Sequence, residues 1–94
     1  MALTFQHNPS KQRYEALSDG ALAGFVQYSE IGGDVALTHT ETVQGFEGKG
    51  VGSFVAKETL EAIKQQGKHV VPRCSFIAGY LQKHPEYADL QKQP

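Results

Sequence analysis

The stretch Phe46-Glu47-Gly48-Lys49-Gly50-Val51-Gly52-Ser53 decides how this chain is read. Its three glycines at alternate positions follow a segment rich in Thr and Val, and a helical pattern begins at once. Glycine tolerates positive φ and lets another group approach the backbone closely. A glycine turn that opens a helix presents unpaired N–H groups at the positive end of the helix dipole, which suits an anion and above all a phosphate. Two common phosphate loops do not fit the spacing. In G-x-G-x-x-G the third glycine would fall on Ser53, and in G-x-x-x-x-G-K-[ST] Lys49 would need Ser or Thr after it where Gly50 stands. What remains is a pyrophosphate turn of another kind, or a glycine-rich connection from strand to helix that holds no ligand.

The 94 residues are expected to form one domain over 1–94, able to bury roughly 60–65% of the surface of the unfolded chain. A hydrophobic fraction of 39% and a charged fraction of 20% describe an ordinary globular chain. The net charge of −1 and a pI near 6.4 argue against a broad nucleic-acid footprint. A single cysteine excludes an internal disulfide framework and suits a reducing compartment. The start Met1-Ala2-Leu3-Thr4-Phe5 carries neither a basic leader nor a long apolar run, so a cytoplasmic protein with no membrane span is expected. Nothing in the sequence sets an oligomeric state.

Outward from the glycine turn, the first half reads as strands. Ala2–His7, Arg13–Leu17, Ala21–Tyr28 and Val35–Val43 are separated by turn signals at Asn8-Pro9-Ser10, Ser18-Asp19-Gly20 and Gly32-Gly33-Asp34, the pattern of an antiparallel meander. A helix is expected from about Gly50 to Gln66, with Val51, Val55, Ala56, Thr59, Leu60, Ala62 and Ile63 on its apolar arc and Gly67 as its stop. Phe54 falls in the polar arc, as a stray apolar residue or a wall beside a ligand. His69–Pro72 is a further strand, parallel to an earlier one across the crossover helix. A second helix follows, with Ser75 as its N-cap, Phe76, Ile77, Tyr80, Leu81 and His84 at helical spacing, and Pro85 as its end.

Three residues on these elements can carry chemistry. Strict alternation along Val35–Val43 puts Val35, Leu37, His39, Glu41 and Val43 on one face, so His39 and Glu41 share a side close to the glycine turn. Cys74 sits between a strand and a helix N-terminus, where a thiol pKa is lowered. Each has an ordinary structural reading as well: a solvated strand end for His39 and Glu41, and an inert core thiol for Cys74.

The order of strand, glycine turn, helix, strand and helix over Val35–Tyr80 resembles the core of the GCN5-related N-acetyltransferases. Glu47-Gly48-Lys49-Gly50-Val51-Gly52 looks like their acetyl-CoA signature, [Q/R]-x-x-G-x-G/A. A compact subgroup of that family is matched over nearly the whole chain, through His39-Thr40-Glu41, then Phe46–Gly52, then Cys74-Ser75-Phe76 through Tyr80 to His84-Pro85-Glu86-Tyr87. The resemblance implies an α+β fold with a mixed, largely antiparallel sheet and a β-α-β acetyl-CoA-binding core. Two departures stand out. Glu47 replaces the usual Arg or Gln, and Tyr80 lies about one residue from the family's acid tyrosine. Asn8–Gln12 also leaves no room for the helices that shape the acceptor site in larger members.

The chemistry implied is attack of a neutral amine on the acetyl thioester, an acyltransferase reaction with acetyl-CoA as cosubstrate and an unidentified amine as acceptor. The resemblance assigns the pyrophosphate to Glu47, Gly48, Lys49, Gly50, Val51, Gly52 and Ser53. It assigns the thioester to backbone groups of Glu41, Thr42 and Val43 and to Cys74 and Tyr80. An imidazole is suited to act as a base near neutral pH, which makes His39 the candidate, with Glu41 to orient it or to serve in its place. Cys74 and Tyr80 are candidates to donate to the departing thiolate; in a second route Cys74 takes the acetyl group first. Direct transfer, with His39 and Cys74 lining the reaction centre, is the reading adopted. No metal site is expected. The rival is a non-catalytic module that binds CoA or a partner protein.

Overall fold

The computed structural model describes residues 2–92. Strands β1 (Leu3–Asn8), β2 (Arg13–Ser18), β3 (Ala21–Ile31) and β4 (Asp34–Thr42) precede helix α1 (Val51–Gln65), strand β5 (Val70–Pro72) and helix α2 (Ser75–Lys83). Short 3-10 turns cover Pro9–Lys11 and Pro85–Leu90. The five strands lie in one sheet in chain order; β1 to β4 run antiparallel and β5 pairs parallel to β4. This is the α+β arrangement expected from the sequence, with α1 as the crossover between two parallel strands.

The hairpins explain the meander. Asp19 and Gly20, and again Gly32 and Gly33, all take positive φ, the backbone of a two-residue turn whose twist matches that of the flanking strands. The second hairpin is longer than expected, because β3 continues to Ile31. Both helices contribute to one core on one side of the sheet. Tyr14, Val26, Tyr28, Val35 and Leu37 from the strands meet Val55, Leu60 and Ile63 of α1, Ile77 and Leu81 of α2, and Tyr87 and Leu90 of the last turn. Phe54 also packs against this core.

The register between β3 and β4 corrects the alternation expected for β4. Tyr28 pairs with Leu37, but Gln27 pairs with His39, so β4 carries one extra residue, Thr38. An extra residue in one strand of an antiparallel pair is a β-bulge, and it reverses the phase of side chains beyond it. Val35 and Leu37 therefore face the helices, whereas His39 and Glu41 face the opposite side with Gln27 and Phe25. Thr40 and Thr42 take over the helix side, opposite Val26 and Gly24.

Gly24 fits this geometry because it has no side chain. A Cβ there would lie 2.6 Å from Cγ1 of Val51 and 2.8 Å from the carbonyl oxygen of Glu41. The start of α1 is thus pressed against β3, beside the end of β4, through a hole that only glycine leaves.

Candidate active site

The parallel ladder between β4 and β5 is short. It covers Val35–Val70, Ala36–Val71 and Leu37–Pro72, and closes with the Arg73 N–H donating to the Leu37 carbonyl at 3.0 Å. Pro72 has no N–H to give, and beyond Arg73 the chain turns into α2. Thr38–Thr42 therefore has no β5 partner on that edge, and the two strands part there.

Cys74 and Thr40 face each other across the gap, with Sγ 3.4 Å from Oγ1. Cys74, not Ser75, is the N-cap of α2: its backbone is extended (φ −110°, ψ 130°), while Ser75 is already helical. Its sulfur does not complete a cap hydrogen bond. Burial raises the thiol pKa, but the Thr40 hydroxyl and the N–H groups of Ile77, Phe76 and Thr40 outweigh it and hold the pKa below the ordinary thiol value. The Val43 N–H donates to the Ala23 carbonyl at 2.8 Å and the Val43 carbonyl accepts from Phe46 at 3.0 Å, so both of its backbone groups are occupied. Backbone direction alternates along a strand, so the Thr42 N–H points to the same edge as that of Thr40.

The glycine turn lies next along the chain. Gly50 is the N-cap of α1 in a left-handed conformation (φ 77°, ψ 15°) that contributes no side chain. The first helical hydrogen bond runs from the Phe54 N–H to the Gly50 carbonyl at 3.0 Å, leaving the N–H groups of Val51, Gly52 and Ser53 without a backbone acceptor among the described residues. No atom lies within 4 Å of where a Cβ of Gly48 or Gly50 would stand. Open space and three free donors at a helix N-terminus fit a pyrophosphate. Glu47 does not oppose this. Its carboxylate accepts the Gly45 N–H at 2.9 Å, so it braces the preceding turn.

A pocket of about 320 Å³ lies between Ser53 of α1 and one face of α2. Ser75, Phe76, Gly79 and Tyr80 line it, with Lys83 and His84 at its far end. These residues recur at helical spacing along a single stripe. The Phe76 ring lies over Gly52, with Cζ 3.1 Å from where a Cβ would be. Phe76 is 42% exposed, unusual for so large an apolar side chain. Tyr80 stacks on His84 with ring centroids 4.0 Å apart. Burial, and then the charges of Glu86 and Glu61, raise the Tyr80 pKa.

The other face of the sheet holds His39 and Glu41. His39 Nε2 lies 3.1 Å from Glu41 Oε1, and both side chains are half exposed. Behind them Phe25 lies between His39, with ring centroids 6.2 Å apart, and the Arg13 guanidinium 4.6 Å from the ring centre. Glu15 is buried and accepts from Gln6, Asn8 and Arg13. Burial raises its pKa, but those three donors and the Arg13 charge hold it below the usual carboxylate range.

The structure thus brings together Thr40 with Cys74, His39 with Glu41, and Tyr80 with the start of α1. It places His39 and Cys74 on opposite sides of β4. Sequence reasoning passed over Thr40, Gly24, Phe76, Lys83 and His84 as site residues. Gly24 carried a signal, as a lone glycine within a strand. Among the described residues no cluster of His, Cys, Asp and Glu fits a metal ion, and no helix is long and apolar enough to cross a membrane.

Comparison with known proteins bears on the same features. Residues 13–90 match the family model of the GCN5-related N-acetyl-transferases. No match was found among curated proteins. The solution structure of a GCN5-like protein from Staphylococcus aureus superimposes with a TM-score of 0.73 at 18% identity, covering 98% of this chain and 90% of that one. The crystal structure of ribosomal-protein-alanine N-acetyltransferase from Brucella melitensis biovar Abortus 2308 gives a TM-score of 0.59 at 15% identity, over 87% of this chain and 62% of that one. At such identities the superpositions speak for the fold, while the family match spans both the glycine turn and the Cys74 segment. The chain is an acyltransferase belonging to the GCN5-related N-acetyltransferase family.

Proposed function

We propose that this protein transfers the acetyl group of acetyl-CoA to an amine by direct attack on the thioester. What supports this reading is the parted edge of β4 at Cys74, with the free N–H groups at the start of α1 and a groove that runs from Ser53 and Ser75 along α2. Acetyl-CoA supplies an activated acyl group. The backbone of Val51, Gly52 and Ser53 binds its pyrophosphate, with Lys49 of the same turn adding positive charge. The Thr42 N–H, aimed into the gap, donates to the thioester oxygen as negative charge builds there. Cys74, held by Thr40, lies beside the leaving sulfur and donates to it.

The acceptor amine comes from the opposite face, where His39 takes its proton and Glu41 orients the imidazole. This division explains why the base and the thiol need not touch. It also gives the acceptor a side of the sheet that CoA does not occupy. The four members of the proposed machinery on β4, His39, Thr40, Glu41 and Thr42, alternate across the strand so that one short segment serves both substrates. Residues 1–94 act as a single catalytic domain on this reading, and one cysteine with no apolar span accords with a cytoplasmic setting.

A second reading draws on the lowered pKa of Cys74: a thiolate facing the gap attacks the thioester first, CoA leaves, and the amine then discharges acetyl-Cys74. Intact-mass measurement separates the two. On the direct route, brief incubation with acetyl-CoA and no acceptor leaves the mass unchanged, and Cys74→Ala retains reduced turnover against a panel of amines. A stoichiometric acetyl adduct on Cys74 that amines remove would overturn direct transfer. Absence of both turnover and CoA binding would remove the acetyl-CoA reading itself.

A further inference from the structure

The groove along α2 extends past the anion site at α1. Gly52 and Phe76 are in near contact, so the free N–H groups of α1 lie beside the first turn of α2. From Phe76 to Lys83 the helix rises by roughly 10 Å more, and the pocket follows it to Lys83 and His84. A ligand held at its pyrophosphate by α1, with its thioester at Cys74, leaves this far end for whatever lies beyond the pyrophosphate. In CoA that is an adenosine carrying a 3′-phosphate.

The far end has the matching chemistry. Tyr80 and His84 form a stacked aromatic ledge and Phe76 presents an exposed ring, surfaces on which a purine lies flat. Lys83 makes no salt bridge or side-chain hydrogen bond among the described residues, and no carboxylate lines the pocket. Glu86 lies beside the ledge, 3.4 Å from His84 Nδ1, but it does not pair with Lys83, and an ammonium left free next to an aromatic ledge is a place for a phosphate monoester. We propose that Lys83 pairs with the 3′-phosphate of CoA, so that the protein distinguishes CoA from 3′-dephospho-CoA at a site apart from the reaction. This rests on the acetyl-CoA reading given above.

Calorimetric titration of the full chain with CoA and with 3′-dephospho-CoA tests it. The wild type is expected to bind CoA about fivefold more tightly than the dephospho form, with the preference shrinking in high salt. Lys83→Ala should bind both ligands with the affinity that the wild type has for 3′-dephospho-CoA, and Lys83→Arg should keep the preference. Lys83 is exposed, so unchanged thermal unfolding of the variant serves as the folding control. Equal wild-type affinity for the two ligands, or equal weakening of both by Lys83→Ala, would overturn the assignment while leaving CoA binding intact. Failure of the wild type to bind either ligand would instead overturn the acetyl-CoA reading, and this assignment with it.

Discussion

The Sγ of Cys74 lies 3.4 Å from Oγ1 of Thr40, across the gap where β4 and β5 part. The two residues are 34 positions apart and meet because the bulge at Thr38 turns Thr40 toward the helices. This contact ties the thiol to the strand and favours its thiolate, since a hydroxyl donates better to sulfur that carries charge. Thiol labelling as a function of pH reads it directly. The wild-type midpoint is expected below the ordinary thiol value, and Thr40→Val should move it upward while keeping the side chain's shape. An unchanged midpoint in Thr40→Val would leave the backbone N–H groups of Ile77, Phe76 and Thr40 as what lowers it.

Gly52→Ala separates binding from folding. The added Cβ would stand 3.1 Å from the tip of Phe76, a half-exposed ring that can swing away. Alanine in the first turn of a helix is favourable by up to about 1 kcal/mol relative to glycine, so the unfolding temperature should hold or rise. The methyl and the displaced ring crowd the α1 N–H groups, and CoA affinity should fall by about tenfold or more. Calorimetry beside thermal unfolding checks both halves, and unaltered CoA binding would show that the turn holds no phosphate.

Gly24→Ala should act the other way round. Its Cβ would meet Val51 and the Glu41 backbone, and neither is free to move without parting α1 from the sheet. Overpacking of this kind costs about 1–3 kcal/mol. Urea unfolding should show that loss; full stability in the variant would mean that the contact between α1 and β3 is slack.

For His39, loss of a general base lowers turnover by about a hundredfold or more. His39→Ala should show that fall in kcat with little change in CoA affinity, and Glu41→Gln a smaller one because it only orients the ring. Steady-state kinetics with any amine that turns over provides the measurement. If kcat survives in His39→Ala, the amine loses its proton elsewhere.

Glu15 sets an acid limit on stability. Its pKa is held below the ordinary carboxylate value of 4.5 in the folded chain. The stabilisation it gives is therefore present above that value and lost as pH falls through the folded-state pKa. Glu15→Gln should lower stability at neutral pH by about 1–3 kcal/mol, through weakened bonds to Arg13 and its neighbours. Its stability should also vary less with pH below 4.5 than that of the wild type. Parallel pH profiles for the two proteins would show that the carboxylate does not titrate with folding.

The strands and helices were legible because each carries its own period and its own turn residues. Asp19-Gly20 and Gly32-Gly33 announce hairpins, and Val51, Val55 and Ile63 mark the buried side of α1. The glycine turn was legible because it breaks both common phosphate loops while still opening a helix. The bulge was not, since Thr38 differs in no way from Thr40 or Thr42 as a strand former, and only pairing with β3 reveals which residue is unmatched. Nor was the last segment. Tyr87 and Leu90 close the core from a 3-10 turn, the Tyr87 hydroxyl donates to Glu61 at 2.6 Å, and the Lys92 N–H donates to Val70. A single turn has no hydrophobic period from which such docking can be foreseen. The groove along α2 escaped notice for a related reason: Phe76 and Tyr80 have the spacing of core residues, and only packing shows that Ile77 and Leu81 form the buried side.

The unmatched residue in β4 behaves like a frameshift in a message read two letters at a time. Removing Thr38 would preserve every chemical group in His39-Thr40-Glu41, yet it would send the imidazole and carboxylate toward the helices and turn the hydroxyl outward. Two sequences identical across that motif but differing by one residue ahead of it would present opposite sides to CoA and to the amine. The motif therefore carries meaning only together with the count of residues separating it from Leu37.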